Sequence, residues 1–145
     1  MNQACIDLVK NYEGCRLKAY PDPGTGGEPW TIGWGHTSGV SEGDMCTQDE
    51  ADAWLVDDLQ SHEDGVKSLL HVDVNDNQLA ALTSFAYNVG LGNLKTSTLL
   101  RLINLGQPDS TQFLRWVNGG GKVLPGLVKR RQAEKSLFDT LFDTA

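Results

Sequence analysis

Glu13 and Asp22 are the two carboxyl side chains of this sequence best placed for acid–base chemistry. Glu13 closes an amphipathic segment, NQACIDLVKNY, and Asp22 falls in a run of turn residues, PDPGTGG, ahead of the extended stretch WTIGW. Two carboxyls in unlike surroundings can divide labour, one holding its proton while the other stays ionised. An enclosed Glu13 would keep the proton, and Asp22 on a more open turn would stay charged. Thr31, on the far side of the turn, could bring a hydroxyl to the same place.

The elements that must position these groups follow from local pattern. Cys5, Ile6, Leu8, Val9 and Tyr12 recur at helical spacing, with Asn2 available as N-cap and Gly14 as the residue that ends the helix. This puts Glu13 on the last helical turn, where the negative end of the helix dipole opposes its ionised form by about 0.3–1 kcal/mol. An acid that must hold a proton tolerates that position. Leu17 and Ala19 then read as a strand, Pro21–Gly27 as a turn and Trp30–Trp34 as the returning strand of a hairpin. Such a hairpin would let Glu13, Asp22 and Thr31 converge. His36 could act as a base, but between Gly35 and Thr37 it reads better as a structural group fixed by one hydrogen bond.

Six strings in order, EGCRLKAYPD, WTIGWGHT, SFAYNVGLG, STLLRLIN, RWVNGGGKVLPGL and KRRQAEKSLF, run over nearly the whole chain. Together they resemble the phage-type lysozymes, glycoside hydrolase family 24. The resemblance implies an α+β, lysozyme-like fold: a small lobe with a short antiparallel hairpin, a long connecting helix and a larger helical lobe. It also implies an endolysin that hydrolyses the β-1,4 bond between N-acetylmuramic acid and N-acetylglucosamine in peptidoglycan, with inversion and without metal or organic cofactor.

Carried over residue by residue, the resemblance makes Glu13 the general acid, Asp22 the carboxylate that steers the attacking water and Thr31 its hydroxyl partner. It pairs an arginine with Glu13, Arg130 in preference to Arg131, and His36 with Asp58, and it turns Asn88 toward sugar or peptide. Trp116 is either core or a saccharide platform, and stands beside Asn88 as a candidate substrate residue. Such chemistry needs one protonated and one ionised carboxyl around an oxocarbenium-like transition state, and inversion needs them about 6.5–9.5 Å apart to admit water. The segment from Asp22 to Thr31 is a few residues longer than the family's usual turn. Two rival readings are a lytic transglycosylase, which uses the glutamate alone, and a catalytically silent wall-binding module, against which the intact Glu13, Asp22 and Thr31 set argues.

The chain has 145 residues, the length of one domain, divided at about residues 13–46 for the hairpin lobe, 47–70 for the connecting helix and 71–145 for the helical lobe. The N-terminal helix is expected to pack on the last of these. A net charge of −7 argues against nucleic-acid binding, which needs clustered Lys and Arg. No apolar run is long enough for a membrane span, and no signal peptide is evident. The expectation is a phage-encoded monomer that waits in the host cytoplasm until a holin-type pore gives access to the wall. Cys5, Cys15 and Cys46 lack metal-ligand spacing and are expected as reduced thiols. A Cys15–Cys46 bridge is the alternative, since some exported relatives of the family use disulfide switching.

Further along, Thr47 and Glu50 make a capping box for a helix reaching about Leu70, with Gly65 its weak interior point. Asp58 is the one acid on that helix singled out from the wet face. Asn75 and Gln78 open a dense apolar helix stopped by Gly90, residues 92–96 read as a link, and Ser97 caps the helix TLLRLINL. Ser110 opens a short helix with Phe113, Leu114 and Val117 inward. GGGK at Gly119–Lys122 is a sharp turn, since it lacks the Ser or Thr of a phosphate loop. A final helix spans about Leu127 to Phe142.

Overall fold

The computed structural model describes residues 2–23 and 25–140. Asn2 caps α1 (Gln3–Tyr12), its side-chain oxygen accepting from the Ala4 N–H at 2.8 Å, and Cys5, Ile6, Leu8 and Val9 form the buried stripe. The helix ends earlier than the sequence reading has it. Glu13 is its C-cap, already extended at φ −94° and ψ 132°, while its N–H still bonds the Val9 carbonyl at 2.8 Å. The acid therefore leaves the helix axis instead of lying along the last turn, and the chain passes into a strand without needing the left-handed turn that a terminal glycine supplies.

β1 (Arg16–Tyr20) and β2 (Thr31–Gly33) pair antiparallel, with Arg16 opposite Gly33 and Tyr20 opposite Thr31. Unequal residue counts between those two pairs make a bulge, which bends the ribbon. The polar segment that follows contributes a third edge. Ala19 N–H bonds the Asp44 carbonyl at 2.8 Å, and Cys46 N–H bonds the Leu17 carbonyl at 2.9 Å.

α2 (Gln48–Leu69) opens with the reciprocal Thr47–Glu50 capping box and crosses from the hairpin to the helical part. Gly65 sits where α2 meets the next layer: a Cβ there would lie 2.6 Å from Leu91 Cδ1, so absence of a side chain lets the two helices touch. α3 (Asp76–Val89), capped by Asn75 and Gln78, is buried at every position from Ala80 to Ala86, which makes it the axis of the core. Gly90, at φ 98°, both ends α3 and starts α4 (Leu91–Thr96). The expected link is thus a short helix, because a positive φ turns the chain within one residue and Leu94 is then drawn into the core, fully buried. α5 (Thr98–Asn104) follows at once, its cap Ser97 accepting from the Leu100 N–H at 3.1 Å.

Residues Ser110–Arg115 form a 3₁₀ helix capped by Asp109, not an α-helix opened by Ser110. Phe113 is buried, but Leu114 is exposed, since the tighter winding turns it away from the core. β3 (Asn118–Gly119) and β4 (Lys122–Val123) make a second small hairpin, turned by Gly120 and Gly121 at positive φ. α6 (Pro125–Asp139) begins with Pro125 in its first turn, where a missing N–H costs nothing, so it starts ahead of the expected Leu127. The expected end at Phe142 lies outside the described residues.

Two hydrophobic clusters hold this α+β architecture together. Phe85, Leu82, Leu94, Leu99, Phe113 and Phe138 gather around α3, with Phe113 edge-on to both Phe85 and Phe138. Cys5, Ile6, Val9, Leu55, Leu59 and Ala80 join α1 and α2 to the other side of α3. The end of α1, and with it Glu13, is therefore fixed by helices from both parts of the molecule.

Candidate active site

Glu13 is gripped from behind. Arg130 of α6 donates from Nη1 to Glu13 Oε1 at 2.9 Å, and the guanidinium is 3% exposed against 25% for the carboxyl. One face of Glu13 thus meets a buried cation while the other reaches solvent. The carboxyl's second oxygen lies beside Gly35, where a Cβ would come within 3.7 Å of it and 3.3 Å of the Tyr87 hydroxyl. Gly35 sits at φ 98°, a backbone conformation that disfavours any side chain, and the space leaves only a tight fit. Tyr87 donates to the Trp34 carbonyl at 2.9 Å and so ties α3 to the hairpin beside the acid. Burial, then the charges of Asp58 and Glu13, hold the Tyr87 phenol above its ordinary pKa, and burial with the Glu13 charge does the same to Tyr20.

Behind Arg130 lies a buried polar cluster that the sequence reading missed. Glu134, wholly buried, accepts from Arg130 Nε at 3.3 Å, from Ser84 Oγ at 2.6 Å and from Arg131 Nη1. Arg130 Nη2 also donates to the Ser84 carbonyl at 3.0 Å. Arg131, equally buried, reaches past Glu134 to donate from Nη2 to Asn88 Oδ1, and its guanidinium lies over the Phe85 ring at 5.0 Å. Burial raises the Glu134 carboxyl pKa while both arginines pull against that, and burial lowers the Arg131 pKa. The i, i+4 spacing of Arg130 and Glu134 was the available signal. It reads as an ordinary surface pair until Ser84 and α3 are placed over it.

On the hairpin, Asp22 is half-buried and its backbone closes the turn. Its N–H bonds the Gly27 carbonyl at 2.9 Å, its carbonyl accepts from Gly26 N–H at 2.8 Å, and its Oδ2 accepts from Thr25 N–H at 3.2 Å. Those bonds close a tight loop beyond Asp22. Thr31, opposite Tyr20 in the ladder, donates its hydroxyl to the Pro29 carbonyl at 3.3 Å. Glu13 meets Arg130 directly; Asp22 bonds to Thr25, Gly26 and Gly27 of its turn, and Thr31 bonds Pro29 and pairs with Tyr20 across the ladder.

Two adjoining cavities open from the acid. One of about 510 Å³ is lined by Tyr12, Glu13, Asn88, Leu124, Leu127 and Arg130 among others. The next, about 460 Å³, continues past Asn88 and Leu127 to Val89, Asn93, Arg115, Trp116 and Asn118. Shared walls make them one groove, lined by polar and apolar side chains together. Trp116 has a double position: it packs edge-on to Phe85 at 5.5 Å and also lines the groove, so core and surface readings both describe it.

A model of the family described as phage lysozyme matches residues 10–134. The endolysin of Acyrthosiphon pisum secondary endosymbiont phage 1 is 41% identical over 139 residues, covering 92% of this chain and 93% of that relative. The chain belongs to the phage lysozyme family. The endolysin of Bacillus phage B103 is 49% identical over 143 residues, which cover 97% of this chain but 54% of that relative. The chain thus spans about half the length of such curated relatives. Among solved structures, the muramidase domain of SpmX from Asticaccaulis excentricus superimposes with a TM-score of 0.87 at 36% identity, over 97% of each chain.

Within this phage lysozyme fold the remaining polar groups brace the hairpin on α2. His36 Nδ1 lies 2.7 Å from Asp58 Oδ2, and the ring stacks on Trp54 at 4.8 Å. Asp58 is not alone in leaving the wet face of α2: Asp52 accepts from Trp34 Nε1 at 2.8 Å and from Gln48 at 2.9 Å. Cys5, Cys15 and Cys46 are free thiols. Burial pushes Cys5 up to about 12, so it stays protonated in the core. Among the described residues, no group of His, Cys, Asp and Glu has the arrangement of a metal site, and no helix is long and apolar enough to cross a membrane.

Proposed function

We propose that this domain is a muramidase, hydrolysing the β-1,4 bond between N-acetylmuramic acid and N-acetylglucosamine in peptidoglycan. The observation that carries it is a carboxyl, Glu13, standing on the wall of a groove with its back to a buried arginine and its front to solvent. Arg130 anchors one carboxyl oxygen and keeps the side chain on the groove wall. A glycan strand filling the groove removes water from the exposed quarter of the side chain, and desolvation then favours the protonated form that the leaving oxygen requires. Asp22, on its turn, is the carboxylate that directs water to the opposite face of the sugar, with Thr31 holding that water. This is an inverting arrangement.

The test is digestion of purified peptidoglycan with wild type and Glu13→Gln, with anomer analysis of fresh product. Wild type should release inverted reducing ends, and the variant should release none. Retained configuration would remove Asp22 from its role, and anhydro ends would make the domain a transglycosylase. In a phage life cycle the protein reaches the wall from the cytoplasm through a holin-type pore, acting as a monomer. Lysis of producing cells that depends on coexpressing such a pore tests that route.

A further inference from the structure

The acid's support contains a residue that cannot itself reach substrate. Glu134 is wholly buried, yet both neighbouring arginines lean on it and then diverge, Arg130 to Glu13 and Arg131 to Asn88. A guanidinium only donates, so the oxygen of the Asn88 amide must face Arg131. Its NH2 is then left to the groove that Asn88 lines on both sides.

We propose that Glu134 is a positioning residue: through Arg130 it sets how readily Glu13 holds a proton, and through Arg131 it fixes Asn88 so that an N–H donor meets a carbonyl of the substrate. The inference rests on the muramidase reading above. The ionisable groups facing Glu13 are Arg130 and Arg131 of α6, Tyr20 of β1 and Tyr87 of α3, with Asp58 of α2 behind Tyr87. Both tyrosines titrate above their usual value and are neutral in the working range, so the charge next to Glu13 is decided by Arg130 and by what offsets it. Glu134 is that offset. Three donors surround it, Ser84 Oγ and one nitrogen from each arginine, which is the setting of an ionised carboxylate. Without its charge the guanidinium would draw Glu13 toward the carboxylate, and the acid would lose its proton at lower pH.

The test measures kcat and KM on purified peptidoglycan across pH. Glu134→Gln should move the basic limb of the kcat/KM profile down by about one pH unit, the direction expected when a neighbouring negative charge is removed. Asn88→Asp keeps an oxygen for Arg131 but turns the groove-facing donor into an acceptor, and Asn88 is exposed, so the fold survives. It should raise KM about tenfold more than it lowers kcat. Loss on glycan stripped of peptide as well as on whole wall assigns the carbonyl to an acetamido group. Loss on peptide-bearing wall alone assigns it to the stem. An unmoved limb in folded Glu134→Gln, or an unmoved KM in Asn88→Asp, overturns the proposal. Where Glu134→Gln fails to fold, the KM measurement decides alone. Glu13→Gln separates the two readings: if it still cleaves wall, the muramidase assignment falls, and if it is inactive while the limb stays put, only this inference does.

Discussion

The two sides of the candidate site are built by opposite means. Glu13 is held by side chains from distant parts of the chain: Arg130 of α6 grips it, Ser84 of α3 and Glu134 hold Arg130, and all three supports are buried. Asp22 is held by its own neighbourhood, through bonds among residues 22–27 on an exposed turn. A buried ionic cluster tolerates little change, because an unmatched charge away from water is costly. A surface turn tolerates changes in length far better. The difference teaches that Glu13 is fixed by the packing of distant elements, whereas the position of Asp22 depends on the turn that carries it.

Four experiments would break or sharpen that contrast, in descending size of effect. Glu13→Gln should lower the rate of wall hydrolysis by about 10²–10⁴-fold, the usual share of a general acid, with circular dichroism unchanged. Arg131→Met should cost about 3–5 kcal/mol in chemical denaturation, since it strands Glu134 with one fewer cation in the interior. A loss under about 1 kcal/mol there would mean that the cluster is not the rigid side. Asp22→Asn should reduce turnover about 10²-fold, with unfolding free energy changed by no more than about 0.5 kcal/mol, as for a surface position. A large stability loss would erase the distinction between local and long-range support.

The smallest effect concerns Asp52. The indole N–H of Trp34, then Gln48, hold its carboxyl below the ordinary range. A depressed folded pKa stabilises the protein above the ordinary carboxylate value, near 3.8, and that contribution disappears as pH falls through the lower folded value. Asp52 is 40% exposed, which limits the gain to under about 1 kcal/mol. Melting temperatures of Asp52→Asn and wild type should differ at pH 6 and converge near pH 2.

Local signals carried much of the architecture. The caps Asn2, Thr47, Asn75 and Ser97 and the stop at Gly90 stand where side-chain chemistry puts them, because a cap needs only residues within one turn. The hairpin around Asp22 was legible for the same reason. Short-range cues failed where packing decided: residues 91–96 became helical because Leu94 fills the core, and Leu114 turned outward in a 3₁₀ helix. Ser84, Arg131 and Glu134 could not be read as one unit, since their meeting depends on α3 and α6 lying side by side. Asp52 is one acid among several in the sequence, and its partners Trp34 and Lys10, both distant along the chain, distinguish it.

The missing side chain at Gly65 gives the molecule a remote handle. α2 is thinned at that point so that Leu91 can rest against it, and the short helix that starts at Leu91 carries Asn93 into the groove wall. A single methyl added to α2 would press on the Leu91 side chain, the contact through which the two helices meet. The wall of the groove is thereby tied, through one short helix, to a contact on the opposite side of that helix.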